Sequence, residues 1–270
     1  MTEIFHTCYY INLDRSPDRR HIMEKTYKNL RRVRAVDGNY LRATHFMNQY
    51  EVACVQSHIK AIRQAFIDGA KEALIMEDDV YIDNKHMWGK SIQQIISNRP
   101  KDAECIILHC SNPKACKKML MMGKDYSKWA YRTKRKSTGC YYITRNGMKK
   151  IFVNFPVDFI PKGKAPADTF IYTVLNSYNY TKPLFNIKRN QSLVVKRMRF
   201  DKEKELVMDR MFRYYYKKRL RIRIEHLRKH IRKINGQIVK TKNKIKKEEL
   251  LKSRGHIIKM IQNLRKELKK

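Results

Sequence analysis

Short apolar runs alternate with longer amphipathic stretches through the first two-thirds of the chain, and this alternation restricts the fold more than any other feature. Cys8–Leu13, Ala73–Met76, Cys105–His109 and Cys140–Thr144 read as short buried strands. Asp18–Leu30, Glu51–Ala70 and Met87–Ser97 read as helices. In the second of these, Val52, Val55, Ile59, Ile62 and Phe66 recur at three-four spacing and mark one buried face. The alternation predicts an α/β domain with a largely parallel sheet. Ligands of such sheets bind beyond the carboxyl ends of the strands, which directs attention there.

The pattern changes near Phe200. Residues 202–270 hold 25 Lys+Arg against 7 Asp+Glu, an excess of +18, so a quarter of the 270 residues carries half of the net charge of +36. All 7 prolines precede residue 184. The expected organisation is therefore a globular domain over 1–200 and a basic helical tail over 201–270. In the tail, Leu227, Ile231, Ile234 and Ile238 follow four-three-four spacing, as do Ile257, Ile261, Leu264 and Leu268, the seam of a coiled coil or helical hairpin. Register breaks at Lys246–Glu249 and at Arg254–Gly255, which predicts a turn near Gly255. Upstream, Met211–Arg219 mixes aromatics with cations, a composition suited to an anionic membrane surface, to phosphates, or to self-association.

No apolar run reaches the roughly 18 residues of a membrane span. The apolar stretch Cys8–Leu13 is too short for the core of a secretory leader, so the expected location is the cytoplasm, with peripheral attachment to a membrane as the variant. The six cysteines form no CxxC pair, which argues against a zinc site or a disulfide framework.

The chemically pointed segment is Glu77-Asp78-Asp79, directly after the apolar strand Ala73–Met76. Three adjacent anions cost free energy unless a cation offsets them, and hard Mg²⁺ or Mn²⁺ suits carboxylates together with phosphate oxygens. In extended chain Glu77 and Asp79 project to one side and Asp78 to the other. The first strand leads into Ser16-Pro17, which reads as a helix start, and Arg15, Arg19 and Arg20 around it suit a phosphate or another anion. Ser57 and His58 lie midway along the second helix, one position off its apolar face. Thr138-Gly139 enters a strand through a glycine that allows close backbone approach, and Asp168 stands at a helix start.

Taken in order, these motifs resemble glycosyltransferase family 25, the family of bacterial lipooligosaccharide glycosyltransferases and collagen galactosyltransferases. The matching pieces are Tyr10–Arg15 with Arg19-Arg20, Glu51–His58, Leu74–Val80, Thr138–Ile143 with Asn146-Gly147, and Ala167-Asp168, across roughly residues 5–195. The chain departs from the family at Ala53, where glycine is usual. The resemblance implies a GT-A-like fold, a UDP-sugar donor, and Mn²⁺ or Mg²⁺ at Glu77 and Asp79. It places Asn12, Leu13, Arg15, Arg19, Ser57, His58, Thr138 and Gly139 around the nucleotide-sugar. It further implies inverting transfer of galactose or glucose to a hydroxyl of a glycan or protein acceptor. Asp168 is the candidate base, with Asp78 or a further carboxylate as the alternative. A different class of function, an inactive α/β domain whose basic tail binds nucleic acid or another polyanion, is the less favoured reading of the charge.

Overall fold

The structure, a computed structural model, describes residues 2–82, 89–130, 137–187 and 198–269. It divides into two compact units, Met1–Met208 and Asp209–Lys270. The first is built on a seven-stranded sheet of order β2-β1-β3-β7-β5-β8-β6. These strands are β1 (Thr2–Asn12), β2 (Tyr27–Arg34), β3 (Glu72–Glu77), β5 (Cys105–Ile107), β6 (Tyr126–Lys128), β7 (Cys140–Thr144) and β8 (Ser177–Tyr180). A separate antiparallel pair joins β4 (Val80–Ile82) to β9 (Phe185–Ile187).

Both faces of the sheet are covered, which is why its strands read as continuous apolar runs rather than alternating ones. Side chains still alternate in destination. Tyr9, Ile11, Ala73, Ile75, Cys105, Ile107, Tyr141 and Ile143 face one cluster, with Val55, Ile59 and Ile62 of α2 (Gln49–Ile67), Met148 and Ile151 of α5 (Arg145–Asn154), and Phe170 and Ile171 of α6 (Ala167–Val174). Cys8, Tyr10, Leu74, Met76, Ile106, Cys140 and Tyr142 face the other, with Met23 of α1 (Pro17–Thr26) and Ile92, Ile95 and Ile96 of α3 (Ile92–Ser97). A further helix, α4 (Pro113–Leu120), follows β5.

The expected α/β architecture is present, with a mixed sheet. β1, β2, β3, β5 and β8 run one way, whereas β7 lies antiparallel between β3 and β5, and β6 is antiparallel to β8. A strand buried on both faces carries no mark of its direction in sequence, so the reversal of β7 is not visible there.

Two helix expectations change. The helix predicted over Asp18–Leu30 ends at Thr26, and Tyr27–Arg34 is instead the edge strand β2. Only Tyr27 and Val33 of that strand are buried, while its Lys and Arg residues occupy the edge, a composition that discourages pairing with another chain. Asn29 sits at φ 58, where the β1–β2 register jumps between Glu3↔Lys28 and Cys8↔Leu30. Asn tolerates that left-handed backbone better than most residues. The helix predicted from Met87 begins at Ile92 behind a Ser91–Gln94 capping box, and Met87 and Trp88 lie outside the described residues.

The second unit holds the end of α7 (Met198–Lys240) and all of α8 (Lys244–Lys269), folded on each other as a helical hairpin. Leu220, Ile224, Leu227 and Ile231 meet Ile257, Ile261, Leu264 and Leu268, and Tyr216 donates to Glu267 Oε2 at 2.9 Å. The turn occupies residues 241–243, not Gly255. Asn243 starts α8 by accepting at Oδ1 from the Lys246 N–H at 3.1 Å. Gly255 lies inside α8 with open space around it, where glycine costs only about 1 kcal/mol relative to alanine.

Ile62 is fully buried between α2 and the sheet. Ile62→Ala should cost about 2–5 kcal/mol. Urea denaturation checks this as a lower midpoint with an unchanged slope.

Candidate functional site

A cavity of about 130 Å³ opens where β1 and β3 end, and the acidic triplet is part of its lining. It is lined by Leu13, Arg15 and Arg19 from the start of α1, and by Ala35, Val36 and Gly38 after β2. Tyr50, Ala53, Cys54, Ser57 and His58 of α2 complete the lining together with Glu77, Asp78 and Asp79. This position beyond the strand ends follows from the topology.

Each carboxylate of the triplet meets a different environment. Glu77 accepts from Thr138 Oγ1 at 2.5 Å and faces His58 Nε2 at 3.3 Å, while His58 Nδ1 lies 3.1 Å from the Tyr141 hydroxyl. Burial alone would raise the Glu77 carboxyl, but His58 and Thr138 outweigh it and hold the group below its ordinary value. Asp78 accepts from Asn12 Nδ2 at 2.7 Å and from Arg19 at 2.6 Å, so both of its oxygens are occupied. Burial nevertheless leaves its carboxyl raised.

Asp79 is the exception. Its side chain is 9 % exposed, Arg19 approaches one oxygen at only 3.4 Å, and the other oxygen is buried without a hydrogen-bond partner. Burial, then the neighbouring Glu77 charge, pushes this carboxyl up to about 8. All three carboxylates line one cavity because residues 78 and 79 form a turn, which ends the alternation expected of extended chain.

The remaining predicted residues divide by position. Leu13, Arg15, Arg19, Ser57 and His58 line the cavity. Arg15 is held by Asp37 at 2.7 Å, and Ser57 bridges the Ala53 carbonyl and the Val36 N–H. Asn12 stands behind the lining, 1 % exposed, donating to Asp78 and the Ser16 carbonyl while accepting from Arg32. It joins the ends of β1 and β3 to the start of α1. Thr138 and Gly139 also stand behind the triplet. Gly139 accepts from the Glu77 N–H at 2.9 Å, and a Cβ there would meet His109 Nδ1 at 2.8 Å and Val80 Cγ1 at 2.9 Å. Arg20 pairs with Glu24 along α1, outside the lining.

Asp168 lies on the first turn of α6, also outside the lining, and accepts from the Thr169 N–H at 2.6 Å. It is close enough that, after burial and Glu77, its charge helps raise the Cys54 thiol. Four lining residues, Ala35, Val36, Gly38 and Tyr50, lie outside the sequence motifs, and Cys54, within Glu51–His58, is not singled out there as a site residue. Cys54 precedes His58 by one helical turn, so the periodicity that marks α2 places both on one side. Gly38 closes a short turn against Tyr50, whose Cδ1 would lie 2.6 Å from any Cβ there.

The donor set fits a hard divalent cation. Three carboxylates line the cavity, their partners Arg19 and His58 reach only part of them, and one buried Asp79 oxygen has no hydrogen-bond donor. Cys54, His58 and Glu77 bring ligand atoms within 4.8 Å of one another, but burial pushes the Cys54 thiol well above its usual value, which weakens it as a donor.

Residues 5–171, more than half of the chain, match the model of a protein family described as glycosyltransferase family 25 (LPS biosynthesis protein). The matched stretch contains the whole cavity lining and Asp168. No curated protein matches the chain.

The raised Asp79 carboxyl sets a pH dependence. Between the ordinary carboxylate range and about pH 8, folded protein without a cation retains a proton that unfolded chain has released, so its stability falls as pH rises through that window. Asp79→Asn removes the penalty. With chelator at pH 8 the variant should be more stable than the parent by at least about 1 kcal/mol, and the two should converge near pH 4. Thermal melts across pH provide the check.

Proposed function

Because the chain belongs to glycosyltransferase family 25, we propose that it moves a hexose, galactose or glucose, from a UDP-sugar to a hydroxyl of a glycan or protein acceptor, with inversion at the anomeric carbon. The observation that carries this reading is the partnerless buried oxygen of Asp79, set beside Glu77 in a cavity that Arg15 and Arg19 also line. Glu77 and Asp79 would hold Mn²⁺ or Mg²⁺, which when bound offsets the charge of the departing diphosphate. A GT-A-like arrangement of sheet and site belongs to the same proposal.

The chain's own groups then take defined tasks. Arg15 and Arg19 supply positive charge at the start of α1, where free helical N–H groups also favour phosphate. Asn12 and Thr138 position the triplet, Asn12 through Asp78 and Thr138 through Glu77. His58, buried and aligned by Tyr141, meets the same Glu77 oxygen, Oε1, that Thr138 holds. A base takes the acceptor hydroxyl proton as that oxygen attacks the anomeric carbon and the bond to the UDP oxygen breaks. Asp168 is the proposed base; Asp78 is ill suited to this step because both of its oxygens are engaged.

A panel of UDP-sugars with Mn²⁺ tests the proposal. Slow hydrolysis of one donor is expected, falling at least 100-fold in Asp79→Ala and in Glu77→Ala, roughly the loss of a main charge-stabilising group. No turnover and no donor binding by the folded parent protein would overturn it.

A further inference from the structure

The hairpin of the second unit ends in a tip that carries the two most exposed aliphatic side chains among the described residues of the tail. The aromatic-cationic stretch Met211–Arg219, whose composition suits a contact surface, is partly withdrawn: Phe212 and Tyr215 are buried, and Tyr216 is bound to Glu267. At the opposite end, around residues 241–243, two aliphatic side chains stand in solvent, Val239 at 86 % and Ile245 at 72 % exposed. Lys240, Lys242, Lys244, Lys246 and Lys247 surround them, all exposed, and residues 239–247 contain no acidic group. From this juxtaposition we propose that the hairpin tip is a docking point for an anionic lipid surface, with Val239 and Ile245 entering the interface and the five lysines meeting the headgroups.

The combination selects this occupant. Lysines alone would suit any polyanion, but a phosphate backbone has no use for two bare aliphatic side chains, and no aromatic stands within the tip for a base to stack on. A second copy of the tip would bring five more lysines against these five. A bilayer of anionic lipid answers both features, taking aliphatic groups below the headgroups while long lysine stems hold their charges at them. No helix among the described residues is long and apolar enough to cross a membrane, so the contact is with the surface. The two helices that carry the tip are held together by the seam residues from Tyr216 to Ile231 and from Ile257 to Leu268, and nearer the turn by Arg254 donating to Asn235 Oδ1 at 3.4 Å. This inference does not depend on sugar transfer.

Co-sedimentation of the full chain with vesicles tests it, using phosphatidylcholine alone or with about a third phosphatidylglycerol. Binding to the anionic vesicles only is expected. Each lysine contributes roughly fivefold near such a surface, so changing the five to Gln should lower partitioning at least 100-fold. Val239→Ser with Ile245→Ser, which leaves the charge intact, should lower it roughly tenfold. Every substituted position is exposed, and circular dichroism verifies that helix content is unchanged. A short DNA duplex serves as competitor. Equal binding to duplex and vesicles with no effect of the serine pair would show a general polyanion surface and overturn the proposal. Absence of vesicle binding, or binding that survives loss of the five lysines, would overturn it as well.

Discussion

Three consecutive carboxylates at the end of a buried strand impose the condition that organises this molecule. An isolated buried carboxylate costs several kcal/mol, and three together repel one another as well. The chain answers with a separate device for each. α2 and the entry to β7 converge on Glu77 through His58 and Thr138, while β1 and α1 converge on Asp78 through Asn12 and Arg19. The elements that shape the cavity are thus the same ones that make its charge tolerable. Only Asp79 is left incompletely answered, with one buried oxygen that no hydrogen-bond donor reaches.

Much of the fold is legible in the residue pattern alone. The apolar runs locate β1, β3, β5 and β7, and three-four spacing locates α2 and the apolar seam of the hairpin. These signals come from burial, which is strong and periodic. What escapes depends on pairing and shape. β2 is an edge strand whose cations Lys28, Arg31 and Arg32, three and four apart, resemble the polar face of an amphipathic helix, and the reversal of β7 leaves no trace in a strand buried on both faces. Gly255 looks like a breaker because glycine weakens helices, yet an exposed helical glycine is tolerated, and the Asn243 cap places the turn instead.

The site is legible in a similar way. Residue types and order single out the triplet, Arg19, His58 and Thr138-Gly139, but not how the roles are divided among them. Asn12 and Gly139 serve behind the lining rather than within it, since one joins strand ends and the other makes room for His109 and Val80. Tertiary contacts separated by more than 60 residues, such as Asn12 with Asp78 and Thr138 with Glu77, have no local signature. Cys54 does have one, because it lies one turn from His58 on a helix whose periodicity is plain.

The antiparallel seating of β7 against β3 bears on folding fidelity. In the native register Met76 pairs with Cys140, which sets Gly139 under His109 and Thr138 beside Glu77. Suppose β7 slipped by one residue so that Cys140 took the place of Gly139. A side chain would then stand where only a hydrogen fits, the Thr138 hydroxyl would leave Glu77, and every core side chain of β7 would change faces. The sheet and the acidic triplet therefore verify one another: a chain that pairs these strands wrongly also leaves Glu77 without Thr138, so the register error carries the cost of a buried carboxylate stripped of its donor.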